Sequence, residues 1–327
     1  MPLPLVLASA LIAALTFYAV LGGADYGGGV WDLLARGPRS AAQRDLVAHA
    51  IGPIWEANHV WLILVIVVLF TAFPPAFSRI AIGLHVPIVL LLIGIVFRGS
   101  AFTFRTYATE DQSGRIWGYS FAIASLFTPL LLGVIVGAIS SGGVPDGTDL
   151  SLNSFFRWVA PFPFAVGFFA LSLFAFLAAV YLTVEAEDED IRNDFRLRAI
   201  WAELTAGLIA LIVFLLANKS APQIRERLTF SWWTWPLQVS TAILAVCSLW
   251  ALLARAYKWA RFFAVTQVTL ILWGWSFAQF PYLVVPDITI YSAAAPRQTL
   301  SLLLTALCLG ALLLFPSLLY LFRVFKR

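Results

Sequence analysis

The chain has 327 residues, of which 61% are hydrophobic and only 12% are charged, and its mean hydropathy is +0.89. This composition excludes an ordinary soluble domain and indicates a polytopic integral membrane protein. The formal net charge is +4, but no run of basic residues is interleaved with aromatic residues as in a nucleic-acid groove, so nucleic acid is excluded as a partner.

Nine apolar runs are each long enough to cross a hydrocarbon core, which needs roughly 20 residues. They lie at about 5–30, 54–73, 77–97, 117–140, 158–183, 199–217, 236–254, 261–283 and 299–322. The runs show no strand alternation and are too long for barrel strands. The sequence therefore predicts an all-α integral membrane protein with about nine transmembrane helices and almost no sheet.

The distribution of basic residues predicts the orientation. When the loops are assigned to alternate sides, fifteen of the 21 Lys and Arg residues fall on one side and six on the other. Because positive charge accumulates on the cytoplasmic side, we expect the N-terminus outside and the C-terminus in the cytoplasm. No basic residue precedes the first run, so we interpret that run as a retained helix and not as a signal peptide.

The polar groups within the apolar runs are few. Asp25 lies in the glycine-rich segment LGGADYGGG of the first run, where glycines would let a neighbouring helix or a cofactor approach closely. Glu56, Asn58 and His59 together open the second run. Since these two helices run antiparallel, Asp25 and Glu56 are predicted at similar depth near the cytoplasmic side. Two interpretations stay open there: a pair that takes up protons, and two structural hydrogen-bond partners.

We tested haem or metal ligation by this chain against helix geometry. His59 and His85 are predicted to differ in depth by roughly 10 Å, with His85 some 12 Å inside the third helix, so one haem cannot easily take both ligands. The sole methionine is Met1, and the two cysteines have no metal-ligand spacing. We therefore expect no metal and no haem on this chain. Trp61 either lines a cavity or simply packs.

Four segments carry a resemblance to a known family. They are GADYGGGVWDLL, IGPIWEANHVWLILVIVVLFTAFPPAFS, FRGSAFTFR and WGWSFAQFPYLVVPDITIYSAAAPRQTL, in this order between residues 22 and 300. Together they resemble subunit II of the cytochrome bd-type quinol oxidases, including the cyanide-insensitive branch. The second and fourth segments are the specific ones.

The resemblance implies a fold of two four-helix bundles plus one peripheral helix. The first bundle would occupy about residues 1–140, and the second bundle with the peripheral helix about 141–327, within a single membrane domain. It also implies a bacterial cytoplasmic membrane location and a heterodimer with a haem-bearing subunit I, in a complex that oxidises quinol and reduces dioxygen to water with protons from the cytoplasm. The haems of subunit I would be two b-type and one d-type, or all b-type. Small single-helix accessory subunits, and a structural quinone or lipid, are left open.

By position, the resemblance implies roles for individual residues. Glu56 and Asp25 match acids of a hydrophilic proton path, and Trp61 matches a tryptophan near the mouth of an oxygen channel. This sequence departs from the family pattern at Gly22, where an acid is usual, and at His59, where an acid is often found. A proton path would then depend on Asp25, Glu56 and His59, with Asn58 as a supporting polar group, and none of these residues is catalytic.

Two other functions remain open on the sequence alone. A proton-coupled membrane transporter would also place Asp25, Glu56 and His85 inside a helical bundle. A purely structural membrane partner would need no conduit.

Overall fold

The computed structural model describes residues 2–52, 55–107, 112–145 and 156–325. These residues form twelve helices and one two-stranded sheet. The elements are α1 Leu3–Leu34, α2 Ser40–Ile51, α3 Trp55–Ala72, α4 Pro74–Gly83, α5 His85–Tyr107, α6 Gln112–Ser140, α7 Pro161–Glu185, α8 Glu189–Ser220, α9 Pro222–Phe230, α10 Thr234–Leu253, α11 Tyr257–Gln279, β1 Tyr282–Val284, β2 Ile288–Thr289 and α12 Arg297–Phe325.

The predicted all-α membrane fold is confirmed. Among the described residues, eight helices are long and apolar enough to cross a membrane, namely α1, α3, α5, α6, α7, α8, α10 and α12. The remaining predicted span, at 261–283, is also a helix, α11 of 23 residues, although polar side chains such as Lys258, Arg261 and Gln267 lower its hydropathy. At about 1.5 Å per residue, α11 is still long enough to cross a 30 Å core.

The third predicted span, at 77–97, is wrong in its boundaries. The chain instead turns after α3 at Phe73, forms the short helix α4 and starts the long helix α5 at His85. Pro74 and Pro75 occupy the first positions of α4, where the missing N–H groups cost nothing. His85 is consequently the exposed first residue of α5. The prediction that it lies about 12 Å inside a span is wrong.

Among the described residues, sheet structure is limited to the link between the last two long helices. β1 and β2 pair antiparallel, with Tyr282 opposite Thr289 and Val284 opposite Ile288. The Val285 N–H donates to the Ile139 carbonyl at 3.3 Å, which fastens this hairpin to the end of α6. The prediction of almost no sheet therefore holds for the described residues.

Helix α7 lies at the centre of the packing, where it contacts α1, α6, α8 and α11. The glycine-rich half of α1 allows the closest of these approaches. A Cβ added at Gly27 would lie 1.9 Å from the Phe174 carbonyl oxygen of α7, and one added at Gly29 would lie 2.2 Å from Ser125 Oγ of α6. The glycines thus admit neighbouring helices.

Helix α12 is peripheral, because no residue of its most apolar stretch is buried by the rest of the chain. It touches α1 and α3, where the Phe315 ring lies 6.1 Å from the rings of both Phe17 and Trp61. The division of the chain into bundles at about residue 140 stays a prediction.

Candidate functional site

The centre of the candidate site is the Asp25 carboxylate on α1. Asp25 is only 5% exposed. Its Oδ2 accepts a hydrogen bond of 2.7 Å from Asn58 Nδ2 on α3. A buried carboxylate is costly unless donors surround it, so Asn58 is a direct part of the site and not a supporting group at a distance.

Arg98 on α5 completes the immediate surroundings of this site, and sequence reasoning missed it by counting it as a cytoplasmic loop charge. The side chain is buried, and its Nη2 donates to the Asp25 backbone carbonyl at 2.9 Å. Its Nε donates to Ser125 Oγ at 3.1 Å. The guanidinium also lies 4.6 Å from the centre of the Tyr26 ring, a distance at which a cation and an aromatic face attract each other.

An ion pair lies two helical turns further along the same two helices. Arg105 Nη1 contacts Asp32 Oδ1 at 3.0 Å, with Asp32 almost fully buried. Asp25 and Asp32 are seven residues apart on α1, and Arg98 and Arg105 are seven residues apart on α5. Equal spacing on two parallel helices brings both pairs into contact at once. This matched spacing is the sequence signal that could have identified both arginines.

A π-helical turn at Tyr18–Gly22 immediately precedes the Asp25 segment. The Tyr181 hydroxyl of α7 donates to the Val20 carbonyl within this turn at 3.0 Å. The hydroxyl of Tyr18, the first residue of the turn, lies 2.8 Å from that of Tyr26, four residues after the turn. π turns occur often at functional sites, and this one sets the direction in which the next helical segment presents Asp25.

The hydrogen-bond partner of Asp25 on α3 is Asn58 and not Glu56. Glu56 is exposed, whereas Asn58 is buried. Two residues along a helix rotate the side chain by about 200°, so Glu56 and Asn58 point to nearly opposite sides of α3. The two acids lie at similar levels, but the structure brings Asp25 together with Asn58.

His59 lies in an aromatic setting beside this site. Its ring centre is 6.1 Å from that of Tyr18, 6.3 Å from that of Tyr26 and 5.9 Å from that of Trp55. Its Nδ1 is buried and has no hydrogen-bond partner among the described residues. His59 therefore lies close to the Tyr18–Tyr26 pair.

A narrow cleft leads to Asp25 from one end of the helices. It has a volume of about 50 Å³, and its lining includes Asp25, Ile51, Tyr181, Glu185 and Arg261. A water molecule needs only about 10–15 Å³ of such space together with polar partners, so the cleft can hold a few waters. Glu185 ends α7 and Arg261 lies in the first turns of α11, which places charged groups along the cleft.

Trp61 packs away from the Asp25 site. Its ring stacks on Phe17 with centres 4.4 Å apart and planes inclined by 22°. The side chain is 4% exposed, and its Nε1 has no hydrogen-bond partner among the described residues. The indole thus joins α1, α3 and α12, and both interpretations of Trp61 stay open.

The histidines offer a poor fit to a haem. His59 lies near the start of α3, whereas His85 follows the opposite end of α3, roughly 20 Å away along the helix axis. His49 Nδ1 contacts the Asp45 carbonyl and His85 Nδ1 contacts the Ile82 carbonyl. Within the described ranges, no group of three or more His, Cys, Asp or Glu side chains could hold a metal ion. That this chain ligates no haem stays a prediction.

Fold and site together define a polytopic helical membrane protein with buried, hydrogen-bonded acids. The chain belongs to the family of cytochrome bd terminal oxidase subunit II, whose family model matches residues 3–325. The resemblance inferred from the four sequence segments is confirmed.

Individual relatives agree with this assignment. Cytochrome bd-I ubiquinol oxidase subunit 2 of Escherichia coli (strain K12) is 29% identical over 206 residues, which cover 62% of this chain and 52% of the relative, so the match spans about half of that protein's length. Putative cytochrome bd menaquinol oxidase subunit II of Bacillus subtilis (strain 168) is 24% identical over 328 residues, or 95% of this chain and 92% of the relative. The solved structure of bd oxidase from Geobacillus thermodenitrificans shares the fold, with a TM-score of 0.84 at 23% identity over 100% of this chain and 99% of that one.

The register between α1 and α5 can be tested by a double-mutant cycle on Asp32 and Arg105. We expect Asp32→Asn and Arg105→Gln each to lower the stability of the purified protein and the double variant to lose less than their sum. The coupling should be about 1–2 kcal/mol, since the pair is mostly but not fully buried. The measurement is unfolding in detergent followed by tryptophan fluorescence.

The more exposed pair Arg79–Asp287, with an N–O distance of 3.6 Å, is the control and should show coupling close to zero. Additive effects of the Asp32 and Arg105 substitutions would contradict the proposed register.

Proposed function

We propose that this chain is subunit II of a membrane-bound bd-type terminal oxidase, which oxidises quinol and reduces dioxygen to water together with a haem-bearing subunit I. The family match over residues 3–325 is the observation that carries the proposal. No comparison supports the alternative of a proton-coupled transporter. The haems would reside in subunit I and supply the redox chemistry, while this chain provides a scaffold and conduits.

The exposed carboxylate of Glu56 supports a partner on that face of α3. A charged group that faces lipid is expensive, and a polar partner surface would lower this cost. We propose a heterodimer in the bacterial cytoplasmic membrane with the N-terminus outside and the C-terminus in the cytoplasm. The distribution of basic residues supports this orientation, because fourteen against six remain when the buried Arg98 is left out of the fifteen.

Co-purification tests the proposed assembly. An affinity-tagged form of this chain, extracted in mild detergent, should bring with it a haem-bearing subunit and quinol oxidase activity. The visible spectrum of the complex distinguishes two b-type haems with one d-type from an all-b-type composition, and a gel reveals accessory subunits. Proton-coupled transport by the purified chain without a haem-bearing subunit would overturn the proposal.

We further propose that Asp25 is a station on a proton path from the cytoplasm. The cleft that runs from Glu185 and Arg261 to Asp25 supports this role, because internal water can carry protons to a buried carboxylate. His59 would extend the path past the Tyr18–Tyr26 pair, and Glu56 would act on the other side of α3. The Gly22 position has no carboxylate, so this path would have a single acid in α1 at that level.

Substitutions of the acids by the corresponding amides test the proposed proton path. Asp25→Asn keeps the shape of the side chain but removes the proton-accepting carboxylate, so we expect quinol oxidase turnover and membrane-potential generation to fall at least tenfold in proteoliposomes. Glu56→Gln should lower both rates if Glu56 contributes. Unchanged rates in a variant would remove that residue from the path.

Asp45→Asn is the matched control, because Asp45 is an exposed acid on α2, and it should leave both rates unchanged. Haem content and subunit ratio, measured in the same samples, separate a lost conduit from lost assembly.

We propose that Trp61 borders an oxygen route. Dioxygen is apolar, and the rings of Phe17, Trp61 and Phe315 form an apolar contact between three helices. Such a contact passes a small apolar gas only when side chains shift, so the volume of the indole would control access.

Trp61→Phe should change the apparent oxygen affinity at least threefold while the KM for quinol stays within experimental error. The expectation follows because a smaller ring opens the contact without touching polar groups. Oxygen consumption at limiting oxygen and at limiting quinol measures the two constants. Trp250→Phe, at an exposed tryptophan of α10, is the control. Equal changes in both constants would indicate general misfolding and contradict the route.

A further inference from the structure

A third buried acid, besides Asp25 and Asp32, lies far along the chain. Glu203 on α8 is 5% exposed. It faces Gln267 on α11, whose Nε2 donates to Glu203 Oε1 at 2.7 Å, and Gln267 is itself 6% exposed. Alanines at 199, 202 and 206 of α8 and at 264 of α11 are buried around the two side chains, which lets the helices approach closely.

Two oxygens of this pair are left unsatisfied. Glu203 Oε2 and Gln267 Oε1 are buried and have no hydrogen-bond partner among the described residues. An ionised carboxylate and an amide oxygen are both acceptors, so neither can satisfy the other. A proton on Glu203 converts Oε2 into a donor and provides the missing bond.

Charge gives a second reason for a proton at this position. An ionised carboxylate buried in an apolar helix bundle needs a cation or several donors, and each missing partner costs free energy. Gln267 is the polar group that acts on the Glu203 carboxyl, and it is neutral. The arginines on the same two helices contact other groups. Arg198 Nη2 of α8 donates to Gln43 at 2.7 Å, although its Nη1 has no hydrogen-bond partner among the described residues, and Arg261 of α11 lies 4.9 Å from the Tyr181 ring.

Helix α10 contributes a hydroxyl to the same core but no charge. Ser248 is fully buried, and its Oγ has no hydrogen-bond partner among the described residues. Its neighbours one turn later, Ala251 and Leu252, belong to the same hydrophobic cluster as the alanines around Glu203. The titratable side chain next to it is Cys247. Three buried oxygens without partners thus occur on α8, α10 and α11.

From this geometry we propose that Glu203 and Gln267 form a proton-binding site between α8 and α11, in which the bound proton resides on Glu203 Oε2 and is shared with the Gln267 amide. The ligand is a single proton, and the site is separate from the cleft at Asp25. Glu203 is then a neutral acid in the folded protein at neutral pH. This proton-binding site does not depend on the proposed oxidase function.

Linkage between proton binding and folding provides the test. If folding keeps a proton that the unfolded chain releases, stability is fully present at acid pH and decreases as pH rises, by up to tenfold per pH unit in the folding equilibrium. Glu203→Gln imitates the neutral acid and removes this dependence. We therefore expect the variant to gain thermal stability relative to the natural chain as pH rises from about 5 to 8.

The measurement is the unfolding midpoint of the purified complex at several pH values. Glu187→Gln is the matched control, because Glu187 is an exposed acid just after α7, and its difference from the natural chain should be constant over this range. A constant difference for Glu203→Gln as well would mean that Glu203 is ionised, and it would overturn the proposal.

Infrared spectroscopy keeps the proposal testable if Glu203→Gln fails to assemble. The natural complex at neutral pH should have a carbonyl stretching band of a hydrogen-bonded carboxylic acid. In Gln267→Leu this band should move to the frequency of a free acid, because the amide acceptor is lost. An unchanged acid band in assembled Gln267→Leu complex would overturn the sharing of the proton with Gln267.

Discussion

The hydrogen bonds around Asp25 are the interaction on which the arrangement of α1, α3 and α5 depends. A carboxylate at membrane depth has little water to solvate it, so the chain must supply donors from other helices. Asn58 supplies one from α3, and Arg98 fixes the adjacent backbone from α5. On its other contacts, α1 uses glycines, which let α6 and α7 approach closely. Helix α1 is therefore held by hydrogen bonds from α3 and α5 and by close packing against α6 and α7.

The chain treats the buried acids Asp25 and Glu203 differently. Asp25 accepts a short bond from an amide and lies beside a cleft lined by Glu185 and Arg261. Glu203 accepts a similar bond from Gln267, yet alanines surround it and one of its oxygens is unsatisfied. Access to water, and not the type of side chain, separates a group suited to proton transfer from one suited to holding a proton.

Sequence reasoning predicted the helices and singled out Asp25, which the structure shows to be buried, because both depend on local properties. Hydropathy and length are sufficient to find a span, and a lone acid among glycines is conspicuous. The partner of Asp25 was harder to predict, since Glu56 and Asn58 differ by only two residues but point in nearly opposite directions. Arg98 was taken for a loop charge because a hydropathy average does not show where a helix ends. Helix α5 continues for two turns beyond Arg98, which is buried. The start of α5 at His85 depends on the turn at Phe73, which hydropathy alone does not reveal.

The π turn at Tyr18–Gly22 has a consequence for how this chain is compared with its relatives. Such a turn adds one residue to a helix and rotates everything after it by about 100°. A chain with a regular α-helix in place of this turn would need one residue fewer to present its acid to the same neighbour. In a sequence alignment of two such chains, residues aligned after the turn no longer lie on the same face of the helix. The residues of a relative that are equivalent to Gly22 and Asp25 are therefore found by superposing the structures. An acid that is absent at one aligned position can be replaced in space by an acid at another.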